Sequence, residues 1–238
     1  MKARIYLLAT ASSLAMIGAA AAADMAVKAP AMPLPVANWT GFYIGIDAGG
    51  GRHNFAITEN DEGGAVSGST SGFVGGGHIG YNWQSKYWLF GLEADGMWTG
   101  LSRTFGSGIG LIPASTTKSE VTWLASGRTR EGIALDDTLL YVTGGVAFAG
   151  VNNGWAKGYT AIPAGTCCDI QTSQTRVGWV AGVGAEHMFT QNLSVRSEFL
   201  YYDLGKNDAT IVTPGGTTLR MSATNEVLVS RLGLSLKW

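Results

Sequence analysis

From Trp39 to the end of the chain, apolar side chains alternate with small or charged ones in stretches of roughly ten residues. Trp88-Leu89-Phe90-Gly91-Leu92-Glu93-Ala94-Asp95-Gly96-Met97-Trp98 is representative. A strand sends successive side chains to opposite faces. Trp88, Phe90, Leu92, Ala94, Gly96 and Trp98 therefore share one face, and Leu89, Glu93, Asp95 and Met97 the other. An apolar face with aromatics at both ends, opposite a charged face, is what a strand needs to cross a bilayer in a closed barrel.

The alternation predicts eight strands: Trp39–Gly50, Phe73–Trp83, Tyr87–Trp98, Thr122–Ile133, Thr138–Ala149, Arg176–Met188, Leu193–Leu204 and Glu226–Trp238. Short turns join the second to the third (Gln84–Lys86), the fourth to the fifth (Ala134–Asp137) and the sixth to the seventh (Phe189–Asn192). The other gaps, near 51–72, 99–121, 150–175 and 205–225, are rich in Gly, Ser, Thr and Asn and predict four long loops. Short turns at one end and long loops at the other are the asymmetry of an outer-membrane barrel, with its termini in the periplasm. A soluble sandwich has no reason to sort its loops this way. A soluble eight-stranded barrel would also alternate, but with charge outside and apolar filling inside.

The expected inward charges are Asp47, Glu93, Asp95, Arg128, Arg130, Glu186, Arg196, Glu198 and Arg231, five acids and four arginines drawn from different strands. An eight-stranded barrel is only wide enough inside for side chains, so these groups are expected to pack as a network of ion pairs. Inward glycines such as Gly76 and Gly80 leave room for the arginines. The carboxylates at Glu93 and Asp95 have the look of an acid/base pair, but beside Arg128 and Arg130 they read as neutralised partners. Glu131 falls on the apolar face, close enough to the turn at Asp136 for its carboxylate to reach the headgroup zone.

At the N-terminus, Lys2 and Arg4 precede an apolar run from Ile5 to Ala22 and the small residues Ala21-Ala22-Ala23, the pattern of a secretory signal cleaved before Asp24. Residues 24–38, with Pro30, Pro33 and Pro35, read as a Pro/Ala-rich periplasmic tether, and 39–238 as the barrel. Cleavage removes Lys2 and Arg4 from the 16 basic residues and leaves all 17 acidic ones, so no basic excess points to nucleic acid. Only 14% of residues are charged and 35 are glycine, which disfavours helix throughout. Past the signal no apolar run approaches the ~20 residues of a spanning helix, so crossing falls to strands.

Cys167 and Cys168 are adjacent, and their chemistry stays open between a vicinal disulfide, pairing with another chain and no structural role. Gly75-Gly76-Gly77-His78-Ile79-Gly80 spells a dinucleotide fingerprint but lies inside a strand pattern, which removes its context. His53, His78 and His187 are far apart, His78 pointing inward and His187 outward near a turn. No nucleophile, histidine and acid fall together in this layout, so neither an enzyme nor a metal or cofactor site is expected.

Four blocks occur in order: Asn38-Trp39-Thr40-Gly41-Phe42-Tyr43-Ile44-Gly45, Gly77-His78-Ile79-Gly80-Tyr81-Asn82-Trp83-Gln84, Tyr141-Val142-Thr143-Gly144-Gly145, and Val195 through Gly205. Together they resemble the opacity-like outer-membrane β-barrel ("porin family") proteins of alphaproteobacteria, the group that contains the major outer-membrane antigens of rhizobial and brucella-type bacteria. The resemblance implies an all-β, eight-stranded antiparallel up-and-down barrel in the outer membrane of a Gram-negative cell. It implies roles in envelope integrity and surface interaction, with outer-membrane lipid and lipopolysaccharide, the barrel assembly machinery and host or surface ligands at the loops as partners. Trp238 stands where the family usually ends in Phe and resembles the C-terminal assembly signal. Glu131 and His187 stand where the family carries an apolar residue and a tyrosine. Some relatives take haem, but no motif here carries that over. Loop aromatics such as Trp155 and Tyr159 are candidate contacts. The alternative function is a small passive pore for water, ions or small solutes.

Overall fold

The structure, a computed structural model, describes residues 37–59, 65–109, 112–157, 170–212 and 218–238. The segment expected as a signal, the expected tether up to residue 36, Tyr159, Cys167 and Cys168 lie outside the described residues, as does the side chain of Trp155.

Eight strands follow one another: β1 (Gly41–Glu59), β2 (Ala65–Ser85), β3 (Trp88–Ile109), β4 (Ile112–Leu135), β5 (Thr138–Lys157), β6 (Ile170–Met188), β7 (Leu193–Val212) and β8 (Thr218–Lys237). Each pairs antiparallel with its sequence neighbours, and β8 closes on β1. Closure leaves no sheet edge within the apolar band, which a strand structure in lipid requires. At the short-turn end, Lys86 and Asp136 open their turns at φ 55° and 51°. Left-handed residues there match the twist of the flanking strands.

The gaps expected as long loops are mostly strand. The hairpins continue until only 60–64, 110–111, 158–169 and 213–217 stand between strands. Alternation fails to mark these extensions because their outward face, with Arg52, Asn54, Ser71 and Ser102, is polar past the belt, although inward His53, Phe55, Leu101 and Val121 remain buried. Trp39, expected to begin the first strand, instead lies in the short-turn mouth of the barrel and is 1% exposed. Its backbone N–H donates to Gln84 Oε1 at 2.7 Å, and its ring packs with Leu89, Ala134, Leu139, Tyr141 and Met188. Ala37 packs against the same cluster, and the Asn38 carbonyl accepts a hydrogen bond from Lys237 Nζ.

The outward face is apolar: Ile46 is 66% and Trp98 78% exposed, with Phe42, Ile79, Leu92, Val183, Phe199 and Leu232 also exposed. A continuous apolar belt of this kind is unsuited to water and suited to lipid. Near the short turns it carries Phe42, Tyr81, Trp83 and Phe90, whose rings pack on one another. At its other border stand Phe73, Trp98 and the packed rings of Trp179 and Tyr201. Inside, the barrel is filled in layers. The Trp39 cluster closes the short-turn end, charged groups fill the middle, and Val74, Met97, Leu101, Leu124, Val180, Leu200, Tyr202 and Val229 form an apolar layer beyond them.

Candidate functional site

The charged layer is built by parity and by glycine. Residues at odd positions of β1, β3 and β8 and at even positions of β2, β4, β6 and β7 point inward along the charged stretch, so each strand reaches the lumen at every second residue. Long inward side chains stand beside inward glycines on the next strand. Asp47 pairs with Gly76 and Gly233, Glu93 with Gly80, Glu198 with Gly184, Arg128 with Gly145 and Arg196 with Gly233. A Cβ added at Gly233 would land on the Asp47 carboxylate and the Arg196 side chain, and one at Gly184 on the Tyr141 ring. The glycines are the space the charges occupy.

All nine sequence-derived residues are buried: Asp47, Glu93, Asp95, Arg128, Arg130, Glu186, Arg196, Glu198 and Arg231. Glu93 is the hub. Its Oε2 accepts from Arg196 Nη1 at 2.6 Å, Tyr43 Oη at 2.9 Å and Arg130 Nη1 at 3.5 Å, while Oε1 accepts from Arg128 Nη2. Arg196 Nη2 also straddles Asp47, at 3.1 Å from Oδ1 and 3.2 Å from Oδ2. Glu198 accepts from Arg231 Nε at 2.8 Å and from Tyr141 Oη at 2.8 Å, and its Oε2 forms an ion pair with Arg231 Nη2 at 2.6 Å. Asp95 faces Arg128 at 3.0 Å and Arg231 at 3.3 Å and accepts from the Ser126 hydroxyl. Glu186 takes Arg130 Nη2 at 2.6 Å and the Ser194 hydroxyl at 2.5 Å.

The Arg130 guanidinium lies over the Tyr141 ring at 4.0 Å and the Tyr43 ring at 5.3 Å, two aromatic faces against one buried cation. Charges this deep persist only when paired and hydrogen-bonded on several sides. Tyr43, Tyr141, Ser126 and Ser194 supply those extra bonds. Their inward parity was readable in the sequence, but which charge each meets depends on the stagger between strands.

One expectation is corrected. Ser235, His78 and Asp47 do fall together: Ser235 Oγ lies 2.9 Å from His78 Nε2, and His78 Nδ1 lies 2.8 Å from Asp47 Oδ2. Gly45 explains the meeting, because it pairs with His78 on one side and Ser235 on the other and leaves the gap between them open. The arrangement has the connectivity of a nucleophile triad. Its surroundings differ, since Ser235 is 1% exposed and the Asp47 carboxylate is shared with Arg196. A hollow of about 400 Å³ lined by Gly45, Gly77 and His78 opens outward, and Ser235 is not in its lining.

The other two histidines stand apart. His53 is buried against Phe55 and Asn225, and His187 lies on the outer face with Nδ1 3.0 Å from Thr138 Oγ1. Glu131 is exposed on the outer face, as its parity requires. Among the described residues no cluster of His, Cys, Asp and Glu has the geometry to hold a metal ion.

Residues 10–225 match the outer membrane protein beta-barrel domain family. The chain is 37% identical over 204 residues to the 31 kDa outer-membrane immunogenic protein of Brucella melitensis, covering 79% of this chain and 82% of that one. It is 29% identical over 174 residues to the 22 kDa outer membrane protein of Rhizobium leguminosarum bv. viciae, covering 73% and 68%. Among solved structures, OprG of Pseudomonas aeruginosa superimposes with a TM-score of 0.51 at 13% identity, covering 85% and 100%, a likeness of fold. With its closed ladder, apolar belt and aromatic borders, the chain belongs to the outer-membrane β-barrel family and resides in the outer membrane of a Gram-negative cell.

Proposed function

We propose that the protein is a closed outer-membrane scaffold that stiffens the envelope and presents its far end at the cell surface. The observation that carries this reading is the filled lumen. A solute entering from the short-turn end meets Trp39 and its cluster, then four arginines locked to five carboxylates, then an apolar layer. Water and ions need a continuous polar path, and each layer interrupts it.

Planar-bilayer recording tests the reading. The purified barrel is expected to give no steady conductance; a steady current altered by Glu93→Gln or Arg196→Gln would establish the pore instead. The envelope role is tested in a deletion strain, which is expected to be sensitised to detergent and restored by the wild-type chain. The partners proposed with this role are lipid and lipopolysaccharide along the apolar belt, ligands at the surface end and the assembly machinery at the C-terminus. The surface contacts fall to extended hairpins more than to loops. At the C-terminus, the Trp238 N–H donates to the Phe42 carbonyl at 3.1 Å and completes the closing seam.

The Ser235–His78–Asp47 cluster supports a second reading, a lipid-directed hydrolase. Fluorophosphonate labelling discriminates between the two. A scaffold leaves Ser235 unlabelled, whereas labelling lost on His78→Gln would make the cluster an active site.

A further inference from the structure

Six of the eight seams are paired to the far end of the barrel or nearly so, and two are not. Between β2 and β3 the ladder ends at Val74–Thr99, and between β6 and β7 at Trp179–Asp203. The strands themselves continue, β2 from Ala65, β3 to Ile109, β6 from Ile170 and β7 to Val212, each paired there on its other side. These two seams face each other across the ring. Past them no ladder pair joins β7-β8-β1-β2 to β3-β4-β5-β6, although Thr70 Oγ1 still donates to the Ser102 carbonyl at 3.2 Å and Gly178 still lies against the β7 backbone at Asp203 and Leu204.

The parting is built into the backbone. Each split begins beside a register shift, between Trp98 and Leu101 where β3 meets β4 and between Asp203 and Lys206 where β7 meets β8. Bulges bend the strand that carries them. On β7 the bend includes Gly205 at φ 71°, its N–H donating to Asp203 Oδ1 at 2.8 Å. Both splits start at the far aromatic border of the belt, marked by Phe73 and Trp98 on one side and Trp179 and Tyr201 on the other. Edges that would be prohibitive in lipid thus first appear where water begins.

We infer that the slot between β6 and β7 is a docking site for an extended, acidic segment of another polypeptide, added to the β6 edge as a strand. Natural edges are usually short or guarded by proline. The stretch Ile170–Gly178 runs nine residues beyond the last β6–β7 pair without proline, and Ser173, Gln174 and Thr175 are exposed and uncharged. The β2 and β3 edges are instead broken by glycines, among them Gly68, Gly72, Gly100 and Gly106, which weaken a strand.

Charge selects the occupant. Continuing the β6–β7 register would set Arg176 opposite Lys206. Two like charges directly opposite disfavour closing the ladder. Arg176 Nη2 donates to Gln174 Oε1 at 2.7 Å while its Nε has no hydrogen-bond partner among the described residues, Lys206 is exposed, and Asp203 Oδ1 is already engaged by Gly205. A carboxylate on an inserted strand, in the row between the two cations, neutralises both. The partner is thereby defined chemically as an extended chain, whose alternating N–H and C=O groups match an open edge.

This deepens the surface-interaction part of the proposed function and rests on it. The test uses the full chain in nanodiscs and a fluorescein-labelled peptide copying Leu204–Val212 with Lys206→Glu. Three results are expected: saturable binding, slowed amide exchange across 170–178, and affinity lowered about tenfold by N-methylating alternate peptide amides or by Arg176→Gln with Lys206→Gln in the protein. Both side chains lie outside the lumen network, and the heat-modifiable gel band verifies that the variant is folded. Equal binding of the N-methylated peptide would overturn the inference. So would amides 170–178 as protected in the free protein as those of 179–188. Protection that rises with protein concentration alone would make the occupant a second copy and equally overturn it. None of these failures opens the lumen, so the closed-scaffold reading stands or falls separately by bilayer recording.

Discussion

Arg196 on β7 reaches Glu93 on β3 with Nη1 2.6 Å from Oε2, although the two strands stand on opposite sides of the ring. Ladder hydrogen bonds tie each strand only to its neighbours. This ion pair ties one wall to the facing wall, and Arg196 extends the tie to Asp47 on β1. The barrel is thus cross-braced at the depth where lipid offers nothing to a charge.

Glu93→Gln removes the carboxylate that four arginines approach, at distances up to 3.8 Å. Leaving buried cations short of a counter-charge is expected to destabilise the barrel by about 3–5 kcal/mol. Urea unfolding in vesicles, followed by the heat-modifiable band, measures it. Glu131→Gln, on the outer face near a turn, should shift stability by no more than about 1 kcal/mol. Equal losses at the two positions would contradict the hub.

Glycine placement gives a second contrast. Gly233→Ala drives a methyl group into the Asp47 carboxylate and the Arg196 side chain and is expected to cost about 1–3 kcal/mol. Gly127 has nothing within 4 Å of the position its Cβ would take, so Gly127→Ala should stay within about 0.5 kcal/mol. The same unfolding assay reads both, and a reversed order would show that the lumen has slack at Asp47.

Trp39→Ala removes a side chain that is 1% exposed in the short-turn mouth and should lower stability by about 3 kcal/mol. Bilayer current should stay at baseline, because the charged layer still blocks the lumen. A channel opened by this substitution alone would mean that the charges leave a path.

Gly205→Val places a β-branched residue at φ 71° and is expected to cost about 1–2 kcal/mol. Amide exchange should slow across 170–178 in the same variant, since straightening β7 brings it back toward β6. Unchanged exchange there would detach the parting from the bulge.

Parity was the legible part of this chain. Which side chains at Asp47, Glu93, Arg128, Arg196 and Arg231 face inward follows from period two alone, and the structure buries each of them. What parity leaves open is height, because the stagger between strands decides who meets whom. His78 reads as inward and Ser235 shares the parity of Arg231, yet their meeting across Gly45 depends on the pairing of β8, β1 and β2. The hairpin extensions are illegible for another reason: past the belt the outward face is polar, so polar outward residues and the Ser, Thr and Gly of the inward face carry no period even where Phe55 and Leu101 are buried. Trp39 was misplaced because an aromatic in a mouth and an aromatic on a border look alike in one dimension.

The parting of the wall also sets how the surface can change through mutation. Within the belt each strand has two ladder neighbours, so a substitution there must suit both. Beyond Val74–Thr99 and Trp179–Asp203 the two sheets share no ladder, and a change on the outer part of β6 needs no compensating change on β7. The outer parts of β6 and β7 can therefore vary with less mutual constraint than the ring beneath them, whereas β2 and β3 stay tied by the Thr70–Ser102 hydrogen bond.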